Sequence, residues 1–157
     1  MTSDAASTAL SALFLDIFRA NGSLVAAGDQ LVAPLGLTSA RWQVLGAVAM
    51  AAVPQPVAHI ARDMGLARQG VQRIVNELAE AGLVVLAENP HHRRARLVQL
   101  TQKGRDIVAS AQRLQRPWVD TLAHGLDAEK IAVAAEVLGV LRLRLEPDAG
   151  SDGSGAD

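Results

Sequence analysis

Residues 57–76 (VAHIARDMGLARQGVQRIVN) constrain the fold most, because their pattern predicts two short amphipathic helices joined by a glycine turn. In the second helix, apolar residues recur at i, i+3, i+4 and i+7, which is the spacing of a buried face. Gly65 suits the left-handed conformation that ends a helix, and Leu66 is expected to return to the core. This is the pattern of a helix-turn-helix. Its inward positions are Val57, Ile60, Ala61 and Met64, followed by Val71, Ile74, Val75 and Leu78.

The other face of the second helix carries side chains that suit contacts with duplex DNA. Arginine, glutamine and asparagine present forked donors and acceptors, which can pair with base edges in a major groove. We expect Gln69, Gln72 and Arg73 to contact bases. Arg68 and Asn76 are expected to divide their contacts between bases and phosphates. The alternative is that this face is only the solvated side of an amphipathic helix.

The charge distribution favours a nucleic-acid partner, although the formal net charge of the chain is only −1. Between His59 and Arg105 there are eight Lys and Arg residues against four Asp and Glu residues. The remainder of the chain carries seven against twelve. The middle of the chain is therefore basic and the flanks are acidic. This segregation bears on association with a polyanion more directly than the net charge does.

After the second helix, the sequence changes to the pattern of a β-hairpin. Two short apolar runs at 83–86 and 96–100 flank the segment 88–95 (ENPHHRRA), in which Asn-Pro is a turn signal. A hairpin directly after a recognition helix is a wing. Its arginines are candidates for minor-groove contact, because a narrow groove concentrates negative potential. The alternative is a charged surface loop without a partner. The candidate wing residues are His92, Arg93, Arg94 and Arg96.

Helical spacing elsewhere predicts a mainly α fold with a small β-hairpin wing. One long helix is expected from about Ser7 to Ala33, a second over about 40–52, and two more over about 102–124 and 128–145. Thr38 or Ser39 is the expected N-cap of the second helix. At that helix N-terminus, Thr38, Ser39 and Arg41 are candidates for phosphate contact.

These elements divide the chain into four expected segments. They are an N-terminal dimerisation helix (1–36), a winged helix-turn-helix DNA-binding domain (37–101), C-terminal dimerisation helices (102–146) and a flexible tail (147–157). The first and last helices carry more apolar surface than one winged domain can cover. We therefore expect a two-fold symmetric homodimer, which would also pair two readers on palindromic DNA. Packing of these helices on each other within a monomer is the alternative.

The residue types present argue against other classes of protein. The chain has no cysteine and no convergent set of acid, base and nucleophile, so we expect neither an enzyme nor a cofactor. A metal site could draw on His59, His91, His92 and His124, but adjacent histidines point to opposite sides. The N-terminus lacks the pattern of a secretory signal, and the most apolar stretch, 44–53, is too short to span a bilayer. We expect a cytoplasmic protein with no metal and no membrane partner.

Taken together, these motifs resemble the MarR family of bacterial transcriptional regulators over roughly residues 8–146. Each motif alone is weak, whereas the ordered set is specific. One position departs from the family pattern, since His92 stands where the family usually has an acidic residue that orients arginines. The stretches that carry the resemblance are Leu37-Thr38, Trp42-Gln43-Val44-Leu45, Ile60-Ala61, Gly65-Leu66, Arg68-Gln69, Val71-Gln72-Arg73, Leu78, Gly82-Leu83-Val84, Asn89-Pro90, Arg93-Arg94-Ala95, Val98, Leu100-Thr101 and Gly104-Arg105.

The resemblance implies a homodimer with a recognition helix in each major groove and a wing arginine in the adjacent minor groove of a pseudo-palindromic duplex. It also implies a repressor that a small aromatic or amphipathic effector releases from DNA. A ligand-independent DNA-binding or architectural protein on the same fold is the alternative, and a metal-binding protein is a more remote one. The candidate effector pocket is lined by Phe14, Phe18, Arg41, Trp42, Trp118 and His124.

Overall fold

A computed structural model describes residues 2–146, so the tail predicted at 147–157 lies outside the described residues. The chain forms two compact units, and the boundary between them follows Trp118. The elements of the first unit are α1 (Thr2–Val32), a 3-10 turn (Ala33–Leu35), α2 (Ser39–Met50), β1 (Gln55–Pro56), α3 (Val57–Met64), α4 (Arg68–Glu80), β2 (Val84–Ala87), β3 (Leu97–Leu100) and most of α5 (Gln102–Ala123). The second unit contains the end of α5 and α6 (Ala128–Leu145).

The predicted fold class is confirmed: the chain is mainly helical with a small antiparallel sheet at the wing. The first helix extends further than predicted, because it begins at Thr2 instead of Ser7. The predicted segment boundaries at 36/37 and 101/102 fall between elements, whereas the two compact units divide within α5. The division into dimerisation and DNA-binding segments remains a prediction.

The helix-turn-helix forms as its sequence pattern predicts, with one exception. Gly65 ends α3 with φ +65°, a left-handed conformation that costs glycine little. Leu66 does not return to the core: it is 48% exposed, so that expectation was wrong. The backbone explains the difference, because the Leu66 N–H closes the end of α3 on the Ala61 carbonyl while its side chain faces outward. The apolar stripe of α4 is buried, at Val71, Ile74, Val75 and Leu78.

The sheet has a third strand that the sequence did not predict. β3 lies between β1 and β2, and both pairings are antiparallel, with Val84 opposite Leu100 and Gln55 opposite Val98. β1 contains Pro56, and the sequence pattern predicted no strand there. Proline is tolerated there because β1 is an edge strand, where one side of the backbone needs no partner. Because β1 leads directly into α3, its pairing with β3 joins the hairpin to the start of the helix-turn-helix.

The core of the first unit lies beneath α4. Its members come from α1, α2, α3, α4 and the wing strands, so burial of one side of α4 leaves the opposite side exposed to solvent. Burying such side chains contributes on the order of 1.5–3 kcal/mol each. Core positions with almost no exposure are Val32, Val44, Leu45, Ile60, Val71, Val75, Leu78, Val84 and Val98.

Helix α1 leaves much of its apolar surface uncovered. Phe18 is 73% exposed, and Phe14, Leu15, Leu24 and Val25 are exposed as well. By length and mean hydropathy alone, Asp4–Leu35 is also long enough to cross a membrane, the one such segment in the described part of the chain. The expectation that the most apolar stretch is 44–53 was therefore wrong.

The second unit repeats this pattern of uncovered apolar surface. Asp127 caps α6 by accepting from the Glu129 N–H at 2.8 Å. Its apolar stripe is exposed, because α6 contains no buried residue and Ile131 and Leu138 are about half exposed. Such a stripe needs a partner to be covered.

Candidate nucleic-acid interface

The exposed face of α4 carries the side chains that the sequence singled out. Arg68, Gln69, Arg73 and Asn76 are exposed, and Gln72 is half-buried. Among residues 2–146, Arg68, Gln69 and Arg73 make no side-chain hydrogen bond or ion pair with one another or with any neighbour. Their donors are therefore available to a ligand on the solvent side.

Two amides on this face are joined to each other. Gln72 Nε2 donates to Asn76 Oδ1 at 2.9 Å, one helical turn further along α4. The bond uses one donor of Gln72 and one acceptor of Asn76, and the carbonyl oxygen of Gln72 and the amide nitrogen of Asn76 keep their remaining capacity. The remaining donors and acceptors of this amide pair suit hydrogen bonds with a base edge.

Arg41 lies in an ion pair, which the sequence analysis did not anticipate. Its Nε and Nη2 atoms lie 3.0 Å and 2.9 Å from Oε2 of Glu77, and both side chains are about one third exposed. The pair joins α2 to α4 across 36 positions of sequence. The sequence made Arg41 a candidate both for phosphate contact and for the effector pocket. In the structure, its guanidinium pairs with Glu77 instead.

The N-terminus of α2 already has its partners. Thr38 Oγ1 accepts from the Arg41 N–H at 3.3 Å, and the predicted cap at Thr38 is thereby confirmed. Ser39 is buried, and its N–H donates to Asp29 Oδ1 of α1 at 2.6 Å. A carboxylate therefore already occupies the position where a helix N-terminus would favour an anion. Of the three candidates there, only Thr38 presents an exposed side chain.

The wing loop is held in shape by Asn89. Its Nδ2 donates to the Ala95 carbonyl at 2.8 Å, and its Oδ1 accepts from the His91 N–H at 3.0 Å. Two backbone bonds across the loop, from His92 to Asn89 and from Ala95 to His92, complete the turn. Asparagine suits this role because its short side chain can imitate backbone in a turn. The loop therefore presents an ordered tip on which His92, Arg93 and Arg94 are exposed.

Arg96 takes a position that the sequence reading did not predict. β3 begins at Leu97, so Arg96 precedes the strand, and its Nη2 donates to the Leu86 carbonyl of β2. It lines a cavity of about 120 Å³ together with Arg68 and Gln72 of α4. A larger open concavity of about 650 Å³ at the wing is lined by Glu88, Asn89, Pro90, Arg93 and Arg96. The structure thus brings α4 and the wing together at Arg96.

The start of α5 fixes the end of α4 and the base of the wing. Thr101 Oγ1 donates to the Gly82 carbonyl at 2.7 Å, and Lys103 Nζ donates to the Ala81 carbonyl at 2.8 Å. Gly104 packs so closely that an added Cβ would lie 2.0 Å from the Leu83 carbonyl oxygen. The Gly104 N–H donates to Thr101 Oγ1 at 3.0 Å, so Thr101 also caps α5.

The candidate effector residues are only partly brought together. Trp42 and Trp118 line one cavity of about 200 Å³ with Leu24 and Val25, and Trp42 also lines a mainly apolar cavity of about 440 Å³ beneath α2. Phe14 and Phe18 lie on the exposed side of α1 and line neither cavity. His124 belongs to the second unit. Within residues 2–146, no group of three His, Asp or Glu side chains is arranged to hold a metal ion.

Comparison with known proteins identifies the family of this winged helix-turn-helix. A sequence model of the MarR family matches residues 35–95, from the turn before α2 to the wing loop. Sco5413, a MarR family transcriptional regulator from Streptomyces coelicolor, superposes with a TM-score of 0.71 at 29% identity, covering 85% of this chain and 93% of that one. Over residues 35–95, the winged helix-turn-helix of this chain matches the MarR family. The matched segment contains every proposed recognition residue of α4.

Two further relatives bear on the site of this protein. An uncharacterized protein of Mycobacterium tuberculosis is 43% identical over 96 residues, and the match spans 61% of this chain and 66% of that relative's length. The transcriptional repressor CouR, solved bound to a 23-mer DNA duplex, is 27% identical with a TM-score of 0.69, covering 80% of this chain and 89% of that chain. CouR from Rhodococcus jostii RHA1 has also been solved bound to p-coumaroyl-CoA, with a TM-score of 0.75 at 24% identity, covering 83% and 91%.

Proposed function

We propose that this protein is a homodimeric, sequence-specific DNA-binding transcriptional regulator, and that it acts as a repressor in the cytoplasm. The observation that carries the proposal is the exposed face of α4, where Arg68, Gln69 and Arg73 have no partner among the described residues. Arginine and glutamine on the outer face of a recognition helix suit base edges, and the arginine-bearing wing beside it suits a minor groove. The DNA complex of the relative CouR supports the same assignment.

The contacts proposed on each half-site follow from where the structure places the candidates. Gln69, Gln72 and Arg73 read bases, Arg68 and Asn76 divide between bases and phosphates, and Thr38 contacts phosphate. Arg93 and Arg94, with His92, approach the minor groove from the wing tip. We leave out Ser39, which is buried, and Arg41, which pairs with Glu77. Arg96 is proposed to support the junction of α4 and the wing instead of reaching DNA.

Selection of bound duplexes from random-sequence DNA tests this function. The purified protein is expected to enrich one short sequence with two-fold symmetry, because a symmetric dimer presents two equal readers. At physiological salt, the affinity for the enriched sequence should far exceed the affinity for random duplex. Specific sites typically bind about 10³-fold or more tighter than non-specific DNA. Recovery of unselected sequences would contradict sequence-specific reading and would favour the architectural alternative.

The proposed effector site is the pair of cavities that share Trp42. The cavity beneath α2 is mostly apolar, and the neighbouring one adds Trp118 from α5, so together they suit an aromatic or amphipathic molecule. A ligand there would release DNA only if it favoured a conformation whose recognition helices no longer fit the grooves. The CouR structure with p-coumaroyl-CoA supports a search among aromatic acids and their thioesters.

Parallel measurements on such compounds separate the effector hypothesis from its alternative. An effector should raise the thermal midpoint of the free protein and release the selected duplex over the same concentration range. Substitution of Trp42 by alanine should weaken both effects together. Compounds that stabilise the protein without releasing DNA would indicate a ligand-independent DNA-binding protein.

A further inference from the structure

Arg41 and Glu77 form an ion pair between α2 and α4 that the proposed DNA contacts do not use, and Arg73 lies one helical turn before Glu77 on α4. The Nε and Nη2 atoms of Arg41 both contact Oε2 of Glu77, at 3.0 Å and 2.9 Å. Glu77 lies four residues after Arg73 on α4, at the spacing at which helical side chains meet. In the described part of the chain, Arg73 nevertheless makes no ion pair.

The position of Glu77 creates a problem for a helix that binds DNA. A carboxylate one turn from Arg73 can pair with that arginine, and the pairing would compete with any base or phosphate that Arg73 contacts. The carboxylate would also repel nearby phosphates. Glu77 is partly buried at the edge of the α2–α4 contact, and the Arg41 guanidinium holds it on that side.

The geometry points to Arg41 as a positioning residue for DNA binding: it holds Glu77 against α2 and so leaves the Arg73 guanidinium free to contact DNA. This inference rests on the proposed function, because it assigns the availability of Arg73 to an ion pair on the protein side. Arg41 itself does not touch DNA in this arrangement. Its contribution passes through Glu77, so removing Glu77 should make Arg41 dispensable.

Breaking the same ion pair from its two ends provides the test. Arg41→Gln leaves a released carboxylate beside Arg73, whereas Glu77→Gln removes that carboxylate and keeps an isosteric amide. The two variants lose the same contact, so a purely structural role predicts equal effects. We expect Arg41→Gln to weaken binding of the selected duplex by about threefold or more, and Glu77→Gln to bind at least as tightly as the wild type. Fluorescence anisotropy on a labelled duplex measures both.

Two combined variants complete the design. Arg41→Gln/Glu77→Gln should bind within about twofold of Glu77→Gln alone, and Arg41→Gln should add little further loss in an Arg73→Ala background. The thermal midpoints of the two single variants should differ little, because the lost contact is common to both. An Arg41→Lys variant, which keeps a cation facing Glu77, should retain most of the binding.

The outcomes distinguish this inference from the function on which it rests. Equal losses in Arg41→Gln and Glu77→Gln would overturn it in favour of a structural ion pair. A loss in Arg41→Gln that Glu77→Gln does not rescue, or that persists in full without Arg73, would overturn it in favour of a direct Arg41 contact. Failure of the wild-type protein to bind any duplex would instead overturn the proposed function, and this inference with it.

Discussion

Arg73 is the residue on which the base-reading proposal depends most. It is exposed on α4, flanked by the Gln72–Asn76 amide pair, and without an ion-pair partner in the described residues. A guanidinium in this position can make two parallel hydrogen bonds with a guanine, which neither lysine nor glutamine reproduces in the same way.

Arg73→Ala should cost about 1–3 kcal/mol of binding free energy on the selected duplex and less on a random duplex. The reason is that a base contact is lost only where the matching base is present. Arg113→Ala, in which an exposed arginine of α5 that donates to Ser110 is removed, is the matched control and should bind normally. Titrations with both duplexes measure the difference, and equal losses on the two would remove Arg73 from base reading.

Position 104 requires glycine because there is no room for a side chain, and not because of an unusual backbone conformation. A Cβ there would lie 2.0 Å from the Leu83 carbonyl oxygen, which is backbone and cannot rotate away. Gly104→Ala should lower the free energy of unfolding by about 1–3 kcal/mol, because overpacking forces the start of α5 away from the wing. Gly22→Ala, where an added Cβ meets nothing within 4 Å in α1, is the control and should be neutral or slightly stabilising.

Thermal or denaturant unfolding of the two glycine variants decides this point. If Gly104→Ala unfolds at the same denaturant concentration as Gly22→Ala, the close contact between α5 and the wing is not a constraint on the fold.

At the scale of elements, the wing combines an ordered loop with exposed cations. Asn89 ties both ends of the loop, and Arg93 and Arg94 project from its tip. Arg93→Ala and Arg94→Ala should each lower the slope of log K against log salt by about one, because each guanidinium displaces about one counterion. Binding measured over a series of salt concentrations provides the slopes. Unchanged slopes would place both arginines away from phosphate and groove.

The loop's order should matter separately from its charge. Asn89→Ala removes two hydrogen bonds that hold the loop and leaves every arginine in place. We expect weaker DNA binding with little change in the salt slope, because the same cations are present in a less ordered loop. Asn89→Asp keeps the acceptor for the His91 N–H and should give an intermediate loss. Full binding by Asn89→Ala would show that the loop needs no such support.

The elements that the sequence predicted well are those determined by local pattern. The left-handed turn at Gly65, the stripe from Val71 to Leu78 and the cap at Thr38 all depend on residues within one or two helical turns. The prediction for Leu66 was wrong because the backbone after the glycine turn directs its side chain outward, and hydropathy does not encode that direction.

The parts that the sequence could not supply depend on distant pairing. Strand β1 exists only because Gln55 finds Val98 across more than forty positions, and its proline argued against a strand. The ion pair between Arg41 and Glu77 joins two helices whose relative placement no periodicity specifies. Ser39 looked like an exposed cap, and it is buried because Asp29 of α1 approaches its N–H.

At the scale of the whole molecule, exposed apolar surface supports the proposed homodimer. α1 exposes Phe14 and Phe18, and α6 exposes Ile131 and Leu138 within its own unit. Although Asp4–Leu35 satisfies the length and hydropathy of a membrane span, its exposed Asp16 and Arg19 lie mid-helix, where charge in a bilayer is costly. A second copy of the chain would cover such a surface without that cost.

The homodimer is therefore a prediction with a direct measurement. Light scattering at micromolar concentration should give twice the 16.5 kDa mass of the chain. Replacement of Phe18, 73% exposed on α1, by a charged residue should lower that mass while the isolated winged fold keeps its helical content. A wild-type protein that scatters as a stable monomer would contradict the pairing of two readers.

Hydroxyl-radical footprinting of the selected duplex tests the central claim most directly, because it locates both recognition helices on DNA at once. Two copies of α4 in successive major grooves should protect two symmetric patches, centred about 10 base pairs or a multiple of that distance apart. Arg73→Ala should weaken both patches equally, since each copy supplies one. A single patch, or uniform protection along the duplex, would contradict reading by two symmetric helices.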